Sequence, residues 1–323
     1  MATNEIDQLV CRACGATIVN QPFAVRDAYL ASHETFPYVE CDACGTVQIV
    51  RVPEDLARYY PESYRPRVRV PGRLRRFLRR QRAAAVLGSR WNLVGRLLLY
   101  RYGKPDWASW LAGTGAHHDS RILDVGSGDG ELLLALESAG FRHLTGVDPY
   151  IEQERIYAGG VRVNKQSLSA HEGEYDVIML HHSLEHVSDP VDLLREVRRL
   201  LRPAGTALVR VPIAGNYGWR TYREHWARLD PPRHLVVPTV EGMRRMAGAA
   251  GFRIDSMVMG GNGYSFALSE QARAGVSTAS CYSMAKRAAA WHNERELAAF
   301  NAIAAERITA GDSDAAAFYL RRA

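Results

Sequence analysis

The sequence predicts an α/β protein with a doubly wound, largely parallel sheet, preceded by a small cysteine-rich domain and followed by a helical extension. Three observations carry this. From Asp119 onward short apolar runs alternate with helical patterns, the rhythm of strand–helix–strand units. Glycines 126, 128 and 130 directly follow the first of those runs, in DVGSGDGE. Two matched knuckles, CRACG and CDACG, precede both features. A chain of 323 residues exceeds one core, and 47% hydrophobic with 24% charged residues suits a cooperatively folded protein. No apolar run approaches the ~20 residues of a membrane span, and the N-terminus lacks a basic start and an apolar signal core, so the expected location is cytoplasmic. Any membrane contact would be peripheral.

Residues 1–52 read as a zinc ribbon. Cys11 and Cys14 form one knuckle and Cys41 and Cys44 the other. Two thiolates separated by two residues can reach one ion, and the following glycine permits the tight turn that aims amides at the sulfurs. Four thiolates close a tetrahedral zinc site with no open position, so the ion would hold the fold and do no chemistry. A pair of redox dithiols is the alternative. Cys281 reads as a small buried residue. VQIVRV, after the second knuckle, reads as extended.

Residues 53–118 read as a basic helical linker or lid. The formal charge of +6 is uneven, because arginines crowd between Arg65 and Arg101. From Arg73, the positions Leu74, Phe77, Leu78, Ala85, Val86 and Leu87 trace an amphipathic helix with an arginine face. It is either a solvated helix packed on the next domain or a surface that attracts an anionic substrate, whether nucleotide sugar, lipid headgroup or nucleic acid.

Residues 119–268 carry the sheet. RILDV, HLTGVD, VRV, YDVIML and TALVRVP read as strands, and helices are predicted to begin at Asp129, Asp189 and Thr239. FRIDSMVMGGNGYSFAL reads as two further strands joined by a glycine-rich turn, and residues 269–323 as an Ala-rich helical extension. Ligands of such sheets bind at the carboxyl ends of the strands.

The glycine cluster is not a dinucleotide fingerprint, because Glu131 stands where a third spaced glycine belongs, and it lacks the Lys-Ser/Thr of a phosphate loop. Asp124, Asp129 and Glu131 crowd the turn, whereas a pyrophosphate at a helix N-terminus requires amides without nearby anions. The ligand's nearest part should be cationic. S-adenosylmethionine meets that demand through its ammonium and sulfonium groups, with Gly126, Ser127, Gly128 and Gly130 allowing close approach. Asp148, followed by Pro149 at the end of the next strand, stands where a carboxylate can accept from both ribose hydroxyls.

ILDVGSGDGELLLALESAGF, GVDP, YDVIMLHHSLEHVSDP, LRPAGTALVRVP and LDPPRHLVVPTVEGMRRMAGAAGF together resemble the class I methyltransferases over residues 119–268. With the double-knuckle ribbon and YYPESY, the layout is similar to zinc-ribbon methyltransferases of bacterial polysaccharide and secondary-metabolite sugar pathways. The resemblance implies a Rossmann-like seven-stranded sheet, methyl transfer, and adenine contacts from the loop after the third strand, here Gln166, Ser167 and Leu168.

Methyl transfer requires an aligned acceptor and, for a hydroxyl, removal of its proton. In LHHSLEHV, His182 takes the substrate-facing position as candidate base, His181 joins the cofactor side, and Glu185 and His186 orient loops or bind the acceptor. A divalent metal on His182, Glu185 and His186 is a further reading, since ubiquinone-pathway O-methyltransferases resemble this segment but have Glu at the His182 position. A second candidate set lies in NYGWRTYREHWARLDPPRHLVVP, where His234 is another possible base, Arg233 could pair with an anionic acceptor, and Tyr217, Trp219, Tyr222 and Trp226 could form a stacking wall. The expected reaction is O-methylation of a sugar hydroxyl in a glycan, nucleotide sugar or glycosylated metabolite. A nucleic-acid methyltransferase and a non-catalytic zinc-ribbon scaffold are the alternatives.

Overall fold

A computed structural model describes residues 9–29, 34–61, 68, 70–87, 92–277 and 283–323. Cys281, Arg65 and the end of YYPESY lie outside them. The N-terminal segment forms strands β1 (Phe23–Arg26), β2 (Thr35–Glu40) and β3 (Val47–Ile49). Helices α1 (Arg73–Val86), α2 (Leu93–Tyr102) and α3 (Asp106–Leu111) lead into the large sheet. There follow β4 (Arg121–Val125), α4 (Glu131–Ala139), β5 (His143–Val147), β6 (Arg155–Ile156), β7 (Arg162–Asn164), β8 (Tyr175–His181), α5 (Pro190–Leu200) and β9 (Leu201–Pro212). An insertion carries α6 (Tyr217–Tyr222) and β10 (Val236–Val237), before α7 (Val240–Ala249) and β11 (Phe252–Gly260). The remainder is α8 (Tyr264–Arg273), α9 (Met284–Ala289), α10 (Glu294–Thr309) and β12 (Ala315–Arg322).

The large sheet runs β11-β12-β9-β8-β4-β5-β7-β6. Neighbours among β9, β8, β4, β5 and β7 pair in parallel, while β12 lies antiparallel to both β9 and β11. The sheet has the number of strands that the resemblance implies, seven, with the two-residue β6 added at the edge. Alternate residues serve opposite faces, as the pleat requires. Leu123, Ile178, Leu180 and Val209 pack in one buried cluster with α5 and α7 residues, whereas Ile122, Val177, Met179 and Leu208 pack in another with α4 residues.

Side chains close the helix ends that sequence predicted. Asp189 accepts from the Asp192 amide with Pro190 in the first turn of α5, and Thr239 accepts from the Gly242 amide at the start of α7. Both leave one fewer unsatisfied N–H in a segment whose apolar stripe then faces the sheet.

Two expectations are corrected. SFAL, read as the second strand of a hairpin with FRIDSMVM, lies in α8, where Phe266, Ala267 and Leu268 are buried. The partner of β11 comes instead from the chain's last residues, AAAFYLRR, within the extension read as helical. Alanine's helix propensity is a weak prior. Here Ala315–Leu320 are all buried between two strands, and a central strand covered on both faces reads as a continuous apolar run without alternation.

The smaller sheet runs β1-β2-β3-β10, all antiparallel. Its fourth strand belongs to the insertion after β9, so residues beside His234 complete the sheet of the cysteine-rich segment. Among the described residues no helix is long and apolar enough to cross a membrane.

Candidate active site

The carboxyl edge of β4 turns through Gly126, Gly128 and Gly130, all at positive φ (73°, 53° and 85°), before α4 begins. Gly126 is required sterically: a Cβ there would come within 2.7 Å of the Ser183 Cβ, in the turn after β8. Gly128 faces open space instead, with nothing within 4 Å of where its Cβ would stand. Its amide donates to Asp148 Oδ2 at 2.9 Å, and the Tyr150 amide donates to Oδ1 at 2.8 Å. Each carboxylate oxygen keeps a further lone pair for a hydroxyl. The Ser127 hydroxyl donates back to the Gly128 carbonyl at 3.3 Å, within the turn.

Beneath this loop Asp124 is buried, its Oδ1 without a hydrogen-bond partner. Burial, and then the charge of Asp148, push its carboxyl up to about 8. An orphaned buried acid beside a bare backbone turn fits a cationic ligand group, which would favour its carboxylate form. The loop after β7 borders the same place, since the Asp148 amide donates to the Asn164 carbonyl at 3.1 Å. In that loop Gln166 bonds His171, Ser167 caps a short turn through the Ala170 amide, and Leu168 is buried. Pro149 is exposed.

β8 delivers the histidines. His181 ends the strand, with Arg210 of β9 donating to its Nδ1 at 2.8 Å and the Trp110 ring 5.3 Å away. Burial, then His182 and Arg210, hold His181 far below the usual imidazole range, so it stays neutral. His182 follows with a left-handed backbone, φ 55°, a conformation that costs a non-glycine residue free energy and persists where surroundings over-determine it. Its Nδ1–H donates to Glu185 Oε1 at 3.2 Å, and its side chain is 35% exposed while that of Glu185 is 0% exposed. Burial lowers the His182 pKa, with Glu185 opposing. Burial alone would raise the Glu185 carboxyl, but the hydrogen bond and charge of His182, with His186 and His234 beyond, hold it at about 2.

His234 comes to the same cluster from the insertion, its ring 4.8 Å from that of His186. Both imidazoles donate Nδ1–H to backbone carbonyls, His186 to Arg233 at 2.9 Å and His234 to Arg228 at 2.7 Å, which leaves each an Nε2 lone pair. Glu185 Oε2 is buried without a hydrogen-bond partner. Glu185, His186 and His234 offer ligand atoms within 4.8 Å of one another, a grouping that differs from the sequence-derived set by containing His234 in place of His182.

The other insertion residues are placed in the interior. Arg233 is 0% exposed and spans Asp27 of the cysteine-rich segment (2.9 Å) and Asp230 (2.8 Å), so its guanidinium is committed to the fold and not offered to an acceptor. Trp219, Tyr222 and Trp226 are buried in one apolar cluster with Tyr38, Val47 and Phe266, and half-buried Tyr217 packs on it. They make a local core rather than a stacking wall. Sequence reasoning missed Arg210, although a lone charge inside TALVRVP was a readable signal. It also missed Asp27, for which no local pattern existed.

In the cysteine cluster Cys11 and Cys44 sulfurs lie 3.7 Å apart, as do those of Cys14 and Cys41, and all four fall within 4.8 Å of one another. A tetrahedron with ~2.3 Å bonds to sulfur has edges of about 3.8 Å, so these residues fit a tetrahedral ion. Gly15 and Gly45, at φ 72° and 71°, turn each knuckle back so that their amides bond the carbonyls of Cys11 and Cys41.

The chain spans about half the length of the curated relatives it matches. A ubiquinone biosynthesis O-methyltransferase of Aeromonas salmonicida (strain A449) is 31% identical over 137 residues, 39% of this chain and 57% of that protein. The namesake from Aromatoleum aromaticum (strain DSM 19018 / LMG 30748 / EbN1) is 32% identical over 111 residues, covering 31% and 46%. Among solved structures, the [4+2]-cyclase SpnF aligns with a TM-score of 0.44 at 16% identity, covering 80% of this chain and 99% of that one. The mitomycin 7-O-methyltransferase MmcR aligns at 0.40 and 13%, covering 72% and 56%. A family model described as a methyltransferase domain matches residues 73–257, more than half of the chain. That span runs from the start of α1 into β11 and includes the glycine turn, Asp148 and all four histidines of the cluster; the chain belongs to the class I S-adenosylmethionine-dependent methyltransferases.

Proposed function

We propose that this protein methylates a hydroxyl of a small molecule, with a sugar hydroxyl of a glycan, nucleotide sugar or glycosylated metabolite as the acceptor class, and that His182 receives the hydroxyl proton. The observation that carries the reading is the His182–Glu185 pair, a partly exposed imidazole oriented through Nδ1 by a fully buried carboxylate at the carboxyl edge of β8. S-adenosylmethionine, when bound, supplies a sulfonium methyl that passes to the acceptor oxygen while the S–C bonding electrons stay on sulfur. Asp124 would face its cationic portion, Asp148 its ribose hydroxyls, and Gln166, Ser167 and Leu168 its base. Glu185 fixes the His182 tautomer, so Nε2 keeps the lone pair that takes the proton as the oxygen attacks. His181, kept neutral and held by Arg210, adds no positive charge beside a sulfonium. The four cysteines would hold zinc, which braces the segment that carries β10's partner strand.

Replacing His182 by Ala should lower kcat by ~10²-fold or more while calorimetry shows unchanged cofactor affinity. Full turnover in that variant would overturn His182 as the base. Incubation with labelled cofactor and candidate sugar nucleotides tests the acceptor class, and label appearing in RNA instead would reject it.

One observation favours a second reading of the same cluster. The unpartnered Glu185 Oε2, with two imidazoles whose Nδ1 atoms are tied to carbonyls, is a donor set suited to a divalent cation that would bind the acceptor oxygen. Metal content separates the two: one equivalent per chain, lost with the cysteines, supports the base reading, and a second, lost in His234→Ala, supports the cation.

A further inference from the structure

We propose that α2, with the first turns of α1, is a membrane-surface element that seats on an anionic lipid bilayer. Gly95 sets the orientation. A Cβ there would collide with the Gln81 carbonyl oxygen and come within 2.9 Å of the Ala85 Cβ, so this side of α2 is pressed against α1. Asn92 locks the contact, its side chain capping α2 through the Gly95 amide at 2.7 Å and donating to the Gln81 carbonyl at 2.8 Å.

At 3.6 residues per turn, Leu93, Leu97 and Tyr100 then fall on the opposite side, at i, i+4 and i+7. They are 77%, 67% and 91% exposed. Arg96 lies to one side of this stripe and Arg101 to the other, with Val94 also exposed. On α1, Leu74 and Phe77 are 72% and 54% exposed among Arg73, Arg75 and Arg80. Large apolar side chains on a helix that already has a packing partner are unusual, and several together mark a contact surface.

Charge selects the occupant. Between Ser63 and Pro105 the chain has twelve arginines and Lys104 and not one carboxylate. Among the described residues of the two helices only Arg76 makes a close ion pair, with Glu137 of α4, and Glu131 lies near enough to Arg79 to interact with its charge. A nucleic acid would use the arginines and leave the leucines in water. A bilayer with anionic headgroups uses both: the leucines and Tyr100 enter the acyl boundary while flanking arginines reach phosphates. The proposal does not depend on His182 or on the acceptor.

The test is co-sedimentation of the full chain with vesicles of phosphatidylcholine alone and of phosphatidylcholine mixed with phosphatidylglycerol. The protein should sediment with the mixed vesicles only, release as salt is raised, and bind at least ~10-fold more weakly as Leu97→Asp/Tyr100→Asp, with cofactor affinity unchanged as the sign of an intact fold. Three results would overturn the idea: no sedimentation with mixed vesicles, equal sedimentation of the double variant, or a dimer in light scattering that the double variant dissociates, which would make a second copy the occupant.

Discussion

The four cysteines of the N-terminal segment and the histidine cluster after β8 both gather ligand-type side chains, yet by different means. Each knuckle is local, built by two cysteines and a left-handed glycine within five residues, and tertiary contact only brings two such halves together. The histidine cluster is assembled from the end of β8, the turn behind it and an insertion some fifty residues on. The sulfurs meet one another at distances that fit a tetrahedral ion, whereas the imidazoles are held individually by carbonyls and a buried carboxylate. Residue type therefore marks both places, but only the bonding around each atom separates sulfurs gathered on one another from imidazoles anchored one by one.

The two regions are also joined. β10 pairs with β3, the Tyr38 hydroxyl donates to the His234 carbonyl at 2.8 Å, and Asp27 meets Arg233, whose own carbonyl receives His186. If the cysteine segment braces the histidines, breaking it must disturb the reaction. Cys11→Ser with Cys41→Ser should cost one zinc per chain and most of the turnover, because structural zinc contributes on the order of 10 kcal/mol to folding. Metal analysis alongside kcat checks this, and a zinc-free variant with native kcat would separate the regions.

A smaller effect is expected from Asp27→Asn. Arg233 would keep Asp230 but lose half of its buried compensation, with destabilisation of about 3 kcal/mol and a reduced kcat. Urea titration measures the first. A stable variant of unchanged rate would show that the ion pair is not felt at His186.

Asp124 sharpens the comparison from the cofactor side. Its folded pKa of about 8 lies above that of an unfolded chain, so without cofactor the carboxyl holds a proton through neutral pH. A cation selects the carboxylate, so binding should release that proton and affinity should rise with pH until about 8. Calorimetry at pH 7 in buffers of different ionisation enthalpy reads the proton count, and Asp124→Asn should abolish it. The mildest change is Tyr38→Phe, which removes one buried hydrogen bond to the His234 carbonyl, worth ~1 kcal/mol in thermal unfolding.

What could be read without coordinates was whatever depends on near neighbours. Apolar periodicity located β4, β5, β7 and β8, Asp189 and Thr239 announced their helices, and the glycines after Asp124 announced the left-handed turn before α4, because caps and turns are properties of short segments. The cysteine spacing likewise marked the four residues whose sulfurs gather within 4.8 Å of one another. Tertiary structure alone decided that the Ala-rich terminus becomes β12, that Arg233 and Trp219 are interior, and that His234 meets His186 beside Glu185. Each of these turns on which distant surface covers a residue, and burial by a distant segment leaves no periodic trace in the residues it buries.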